Sequence, residues 1–223
     1  MAAISAFKAV LFDLDGTLLD TLSDIANCVN RLRLDSGLRP HPRAAYRGFV
    51  GNGVVRLMKR AFPPRVLRGS GLTALTRRFE ILYAARCLDE AAPYPGVVRM
   101  LDALRRRRLP LAILSNKPQR FTNRCVDELL PGRRFAVVLG ARPGVPLKPD
   151  PAGALAAARA LRIDPAEIAY VGDTGVDMKT ARAAGMFPIG VLWGFRGAAE
   201  LKRGGARVLI RRPGELPSLF AGG

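Results

Sequence analysis

Ala9-Val10-Leu11-Phe12-Asp13-Leu14-Asp15-Gly16-Thr17 opens as four consecutive apolar residues and breaks at once into two carboxylates, a glycine and a hydroxyl. A short apolar run without alternation reads as a strand buried on both faces, and its polar sequel is delivered to a loop at the strand's carboxyl end. Similar runs recur at Leu111-Ala112-Ile113-Leu114, Phe135-Ala136-Val137-Val138-Leu139, Ile168-Ala169-Tyr170-Val171 and Ile189-Gly190-Val191-Leu192, with helical patterns between them. Strands alternating with helices predict an α/β fold with a parallel sheet covered on both faces.

The first gap breaks that rhythm. About seventy residues follow the first run before the helix that leads to the second strand, far more than a crossover needs. Within the gap Thr21–Leu34, Val54–Phe62 and Leu72–Leu88 read as helices, with Gly51-Asn52-Gly53 and Pro63-Pro64 as breakers. The expectation is a small α-helical cap, residues 18–92, inserted after the first strand of a core formed by residues 1–17 and 93–223. In that core a helix beginning near Val97 puts Val97, Leu101 and Leu104 on one face and closes in Arg105 to Arg108, cations that complement its dipole. After Leu192 the pattern gives a helix near Ala198, an apolar run Val208-Leu209-Ile210 and a short helix after Pro213.

Composition narrows the chemistry. The 223 residues are 49% hydrophobic, spread in short runs, and none approaches the length of about eighteen apolar residues that spans a bilayer. Met1 to Lys8 lacks the pattern of a secretory signal, so the chain is expected in the cytoplasm. Cys28, Cys87 and Cys125 are odd in number and far apart, which suits a reducing compartment. The single histidine, His41, sits between two prolines, so neither a zinc constellation nor a histidine triad is available. Hydrolytic chemistry must rest on carboxylates, a hydroxyl or a metal held by oxygen. Thirty-six basic against 18 acidic residues give a net charge of +18. That field favours anionic partners, but the basic residues are dispersed and no nucleic-acid-reading motif accompanies them. Steering of a small phosphorylated metabolite is the expected use. A basic polyanion-binding protein with an idle site is the alternative from a different class.

Open parallel sheets bind ligands beyond the carboxyl ends of their strands. The residues there are Asp13 and Asp15, then Ser115-Asn116-Lys117, then Lys148-Pro149-Asp150-Pro151, then Gly172-Asp173 followed by Asp177. An anionic nucleophile approaches a dianionic phosphate ester only where a cation offsets the repulsion, and Mg²⁺ prefers oxygen ligands. Asp13 and Asp173 are the expected ligands, and Asp13 is also the candidate nucleophile. Asp15 is placed to protonate the leaving oxygen and then take a proton from water. Ser115, Asn116 and Lys148 are candidates for binding the phosphoryl oxygens; Gly16 permits a close turn and Thr17 adds a hydroxyl. Gly51, Asn52 and Gly53 are expected near the organic part of the substrate, or else simply start the next helix. Singly each piece has an ordinary use, as a strand exit, a solvated loop or an N-cap; Asp150 reads as a cap with Pro151 at the first helical position. Their joint order at successive strand ends carries the functional reading.

At these residues the chain resembles the haloacid dehalogenase superfamily, in its phosphatase branch, over nearly its whole length. Asp13-Leu14-Asp15-Gly16-Thr17 matches the first motif, Ser115-Asn116 the second, Lys148-Pro149 the third, and Gly172-Asp173-Thr174-Gly175-Val176-Asp177 the fourth. The resemblance implies a Rossmann-like three-layer α/β/α core, Mg²⁺ and an aspartyl-phosphate on Asp13. It implies further that Asp15 lends the metal a backbone carbonyl, that Asp173 completes the metal site, that Asp177 supports it, and that the helical insertion closes over the substrate. Within that branch the chain is most similar to phosphoglycolate phosphatases, through Phe49-Val50-Gly51-Asn52-Gly53, Tyr94-Pro95-Gly96 and Leu192-Trp193-Gly194-Phe195-Arg196-Gly197. It departs from them in Gly140-Ala141-Arg142-Pro143-Gly144, where a more acidic loop is expected, and in its basic surface. Haloacid dehalogenases lack the second aspartate, so Asp15 argues for phosphoryl chemistry. A phosphomutase or pyrophosphatase would keep the same catalytic set. A monomer or a homodimer is expected.

Overall fold

The computed structural model describes residues 7–220. In chain order the elements are β1 (Ala9–Phe12), a two-residue β2 (Leu19–Asp20), and the helices α1 (Leu22–Asp35), α2 (Arg43–Phe49), α3 (Val54–Ala61), α4 (Pro64–Leu67) and α5 (Gly71–Arg86). A two-residue β3 (Ala92–Pro93), α6 (Val97–Arg106), β4 (Leu111–Pro118), α7 (Gln119–Leu129) and β5 (Val137–Ala141) follow. The chain continues with α8 (Ala152–Leu161), β6 (Ile168–Gly172), α9 (Gly175–Ala183), β7 (Phe187–Val191), α10 (Ala198–Gly204) and β8 (Val208–Ile210).

Six strands pair in the order β5-β4-β1-β6-β7-β8, every neighbour parallel. The four residues of β1 are fully buried because the strand lies between β4 and β6 and is covered on both faces. Alternation assigns its side chains. Val10 and Phe12 pack with Val97, Leu101 and Leu104 of α6 and Cys125 of α7. Ala9 and Leu11 pack with Ala154 and Ala157 of α8 and Ala181 of α9. The result is the Rossmann-like α/β sandwich with β1 at its centre, so the loop after Phe12 emerges in the middle of the sheet's carboxyl edge.

Between β2 and β3 the five helices gather a second core around Val29, Leu32, Tyr46, Met58, Phe79 and Tyr83. Phe121 of α7 and Phe195 after β7 complete that core from the sheet side. β2 and β3 pair antiparallel, Leu19 with Pro93 and Asp20 with Ala92, where the chain leaves and rejoins the sheet domain. Buried Asp24 accepts from the backbone N–H groups of Glu90 at 2.9 Å and Ala91 at 3.0 Å, tying the start of α1 to that return segment.

Several boundaries differ from the sequence expectation. β5 starts at Val137, two residues later than the apolar run, and its valines and leucine are only half-buried because it is an edge strand with one neighbour. β4 runs on to Pro118, with a register shift against β5 between Leu114 and Pro118, so Ser115, Asn116 and Lys117 belong to the strand itself. The short α2 and α4 are unforeseen: α2 buries only Tyr46 and α4 buries nothing, so neither leaves a hydrophobic period to read. Among the described residues no helix is long and apolar enough to cross a membrane. The three cysteines are free and buried.

Candidate active site

Asp13 is the first residue past β1, and its N–H still donates to Val171 of β6 at 2.9 Å, which holds the side chain at the sheet edge. The chain then reverses over Gly16, whose φ of 92° is open to glycine but strained for other residues. A Cβ at Gly16 would overlap the Asp173 carboxylate, so the glycine also makes room for that residue.

The ammonium of Lys148 sits among three acceptors: Asp13 Oδ1 at 2.7 Å, Asp177 Oδ1 at 2.7 Å and the Leu114 carbonyl at 3.1 Å. Asp13, Asp173 and Asp177 are all buried, and each offers an oxygen within 4.8 Å of the others. Asp173 Oδ1 accepts from the Thr17 hydroxyl at 3.2 Å and Oδ2 from the Phe195 N–H at 2.7 Å. Asp177 Oδ2 accepts from the Thr174 N–H at 3.0 Å and hydroxyl at 2.6 Å, the capping box that starts α9.

Three carboxylates lie close together and only Asp13 and Asp177 touch the one ammonium, so the balance is unfavourable to charge. Burial first, then the Asp177 carboxylate, push Asp13 up to about 7, with Lys148 opposing. Burial, then Asp13 and Asp177, hold Asp173 well above the ordinary carboxylate range. Burial pulls Lys148 down, but Asp13 and Asp177 outweigh it and keep that ammonium firmly charged. A divalent cation among these oxygens would reverse the repulsion between the carboxylates, and an all-oxygen anionic donor set suits a hard ion. The cluster therefore fits a divalent metal.

Asp15 turns away from the triple carboxylate. Its Oδ1 accepts from Lys117 Nζ at 2.7 Å and from the Thr21 hydroxyl at 2.7 Å. Lys117 Nζ donates in addition to the Tyr83 hydroxyl of α5 at 2.7 Å. Lys117 closed the Ser115-Asn116-Lys117 stretch without a role of its own; only its place at the end of β4, beside Asp15 in space, reveals the contact. Phe195 was equally hidden, because a backbone N–H leaves no mark in sequence.

A solvent-open cavity joins these groups; Asp13, Asp15, Ser115, Asn116, Lys117 and Lys148 line it from the sheet. Gly51 and Gly53 line it from the cap, with Ile25, Leu57, Phe79 and Tyr83 behind them. Asn52 does not; it lines a neighbouring cleft with Arg56, Arg60, Lys179 and Arg196. Of the three residues expected near the organic part of a substrate, the two glycines line this cavity and Asn52 lines the adjoining cleft. Both glycines have positive φ, 111° at Gly51 and 81° at Gly53, a backbone turn that favours glycine.

Two of the expected phosphate-binding side chains are engaged elsewhere in this structure. Thr17 spends its hydroxyl on Asp173 and is not among the residues lining the cavity. Asn116 donates both amide hydrogens, to Gly51 O at 3.0 Å and Lys148 O at 3.1 Å, and accepts from the Lys148 N–H at 2.9 Å. Its side chain holds the Lys148 loop and the cap in register and has no donor left for a phosphate. Ser115 keeps its place in the cavity wall, its Oγ accepting from the Lys117 N–H at 3.2 Å.

Residues 7–185 match the family profile of haloacid dehalogenase-like hydrolases. The phosphoglycolate phosphatase of Chromobacterium violaceum is 35% identical over 219 residues, covering 97% of each chain. That of Xylella fastidiosa strain 9a5c is 36% identical over 190 residues, 85% of this chain and 82% of its own. Among solved structures, a Lactobacillus delbrueckii subsp. bulgaricus protein superposes with a TM-score of 0.89 at 29% identity, over 98% of this chain and 100% of its own. A haloacid dehalogenase-like family protein from Streptococcus pneumoniae shares the fold with a TM-score of 0.88 at 23% identity, over 97% and 100% of the two chains. With the carboxylate cluster at the sheet edge, the lysine between its members and these likenesses in hand, this chain belongs to the haloacid dehalogenase-like hydrolases, among their phosphatases.

Proposed function

We propose that the chain hydrolyses a small phosphate monoester of the phosphoglycolate type, with Mg²⁺, through an aspartyl-phosphate on Asp13. The observation that carries this reading is the pairing of Asp13 with Lys148 at 2.7 Å beside Asp173, in a cavity that Asp15 also lines. One carboxylate is held for attack, and a second, two residues on, is placed to handle the proton.

An Asp13 carboxylate oxygen attacks phosphorus in line with the ester oxygen, and the P–O ester bond breaks. Asp15 is the group that delivers a proton to the departing oxygen. In the second half Asp15, now a carboxylate, takes a proton from water as the water oxygen attacks the same phosphorus, which frees Asp13 and inorganic phosphate. Lys148 and Ser115 bind the transferring oxygens, and Asp177 holds Lys148 in line. Asp13, Asp173 and the backbone carbonyl of Asp15 would hold Mg²⁺, which supplies offsetting positive charge for the phosphoryl group. The two named relatives are phosphoglycolate phosphatases, and the cavity wall of Ile25, Leu57, Phe79 and Phe121 suits a short leaving group better than a hydroxyl-rich sugar. Free, buried cysteines are in keeping with a cytoplasmic enzyme.

The test is phosphate release with Mg²⁺ from phosphoglycolate, a sugar phosphate, a nucleotide and pyrophosphate, for the native chain and Asp13→Asn. Phosphoglycolate should be the best substrate, and Asp13→Asn should lose at least about a thousandfold in rate. Undiminished turnover by Asp13→Asn would overturn the reading; a preference for pyrophosphate, or phosphoryl transfer between sugar positions, would replace the substrate assignment.

A further inference from the structure

Lys148 and Lys117 are the two cations in the cavity wall, and they differ in what they have to spare. Lys148 donates to Asp13, Asp177 and the Leu114 carbonyl, so its three hydrogens serve the Asp13 end of the cavity, where the phosphoryl group binds. Lys117 donates to Asp15 Oδ1 and to the Tyr83 hydroxyl, each at 2.7 Å, and its third hydrogen has no acceptor among the described residues. The Tyr83 oxygen accepts from Lys117, yet its own O–H has no acceptor among the described residues either. Both side chains are buried, Lys117 at 7% and Tyr83 at 2% exposure. Two buried donors, one of them charged, therefore face the same cavity with hydrogens unspent, a state that buried polar groups rarely keep without a partner.

The pair is held stiffly. The Tyr83 ring stacks on Phe79 with centroids 5.2 Å apart and meets Phe121 edge-on at 5.2 Å. Lys117 Nζ lies 4.8 Å from the Tyr83 ring centroid, which adds a cation–π contact to the hydrogen bond. Around them the wall is apolar, with Ile25, Leu57 and Phe79, so an anionic oxygen entering this end of the cavity meets these two donors, while Lys148 serves the Asp13 end.

Position supplies the chemistry. Lys117 grips the carboxylate that handles the proton of the leaving oxygen, so the atoms just beyond that oxygen lie beside Lys117 and Tyr83. We propose that Lys117 and Tyr83 form a subsite for a carboxylate carried by the leaving group, reached from both sides of the seam, Lys117 from the sheet and Tyr83 from the cap. The subsite rests on the phosphatase reading only in taking Asp13 as the place of the phosphoryl group. It makes the pair a specificity determinant, since an ester without the carboxylate leaves two buried donors unpaired.

Calorimetric binding of two phosphonates separates this from the chemistry, because neither is hydrolysed. Phosphonopropionate carries the carboxylate; propylphosphonate has a methyl in its place. In the presence of Mg²⁺ the native chain should bind phosphonopropionate at least about tenfold more tightly, the worth of one charge-assisted hydrogen bond. Lys117→Met should abolish that preference. Tyr83→Phe, which keeps the ring packing and removes one hydroxyl, should narrow the ratio about threefold. Equal binding of the two ligands by the native chain, or a ratio unchanged in Tyr83→Phe, overturns the subsite. Failure of the phosphatase reading would instead appear as absent ester hydrolysis with the binding preference intact.

Discussion

Asp13 carries its charge against resistance from its surroundings, and that has a measurable sign. Its folded-state value of about 7 lies above the ordinary carboxylate value of 3.8, chiefly through burial and the Asp177 carboxylate. The folded chain thus holds this proton more tightly than the unfolded chain does. In the absence of metal, Asp13 destabilises the fold above about pH 7, and the penalty fades as pH falls toward the unfolded value. In chelator, Asp13→Asn should therefore be the more stable protein at about pH 8, with the gap in thermal midpoint shrinking below about pH 7 and closing near pH 4. A gap that widens on acidification would show that Asp13 is stabilised as the anion. Mg²⁺ should narrow the gap at high pH by neutralising the same repulsion.

At this scale the sequence was informative about identity and silent about direction. Asp13, Lys148, Asp173 and Asp177 come together as their positions at successive strand ends imply. Thr17 and Asn116 also lie at strand ends, but their polar atoms are taken by Asp173, Gly51 and Lys148. Which way a short polar side chain points depends on neighbours distant in sequence, and no local pattern records them.

Among the elements, the turn after β1 is the most tightly specified. Gly16 combines a φ of 92° with a carboxylate packed against its Cα, so an added methyl group meets both backbone strain and the Asp173 oxygens. Gly16→Ala should cost about 1–3 kcal/mol of stability from the backbone alone, and should weaken Mg²⁺ binding because Asp173 must shift. Urea unfolding and metal titration of the variant check the two effects separately. Full metal affinity in Gly16→Ala would mean that Asp173 is not a ligand. Gly37 is the control position: it too has positive φ, but a Cβ there meets nothing within 4 Å, so Gly37→Ala should leave the metal titration unchanged.

The legibility of elements follows burial. β1 and β6, buried throughout, stand out as continuous apolar runs. α3, with its apolar residues on one face, is recovered to within a residue, as Val54–Ala61 against the expected Val54–Phe62. β5, exposed at the edge, and α2 and α4, which bury little, are displaced or missed because little hydrophobic pattern is needed to hold them. The sheet order is likewise absent from any local run: that β1 sits between β4 and β6 is decided by pairings across more than a hundred residues.

For the molecule as a whole, a net charge of +18 surrounds a centre with a surplus of carboxylates. Arg56, Arg60, Lys179 and Arg196 converge on the cleft next to the cavity, which shares Val50, Gly51 and Thr174 with it. A dianionic ester approaching from solvent meets an attractive field before it meets the carboxylates. Raising ionic strength from about 0.02 M to about 0.3 M should therefore lower kcat/KM several-fold while kcat changes little, since exposed charges are screened and the buried centre is not. A matched loss in kcat would place the salt effect inside the cavity instead of on the approach.

The covalent step on Asp13 is open to a single trapping measurement. The chain is mixed with a radiophosphate-labelled ester and Mg²⁺, quenched in acid within the first turnover, digested and mapped. Label should appear on the peptide that contains Asp13, be released by neutral hydroxylamine as an acyl phosphate is, and be missing from Asp13→Asn. Turnover at full rate with no labelled protein, or label on any other residue, would contradict a phosphoryl group passing through Asp13.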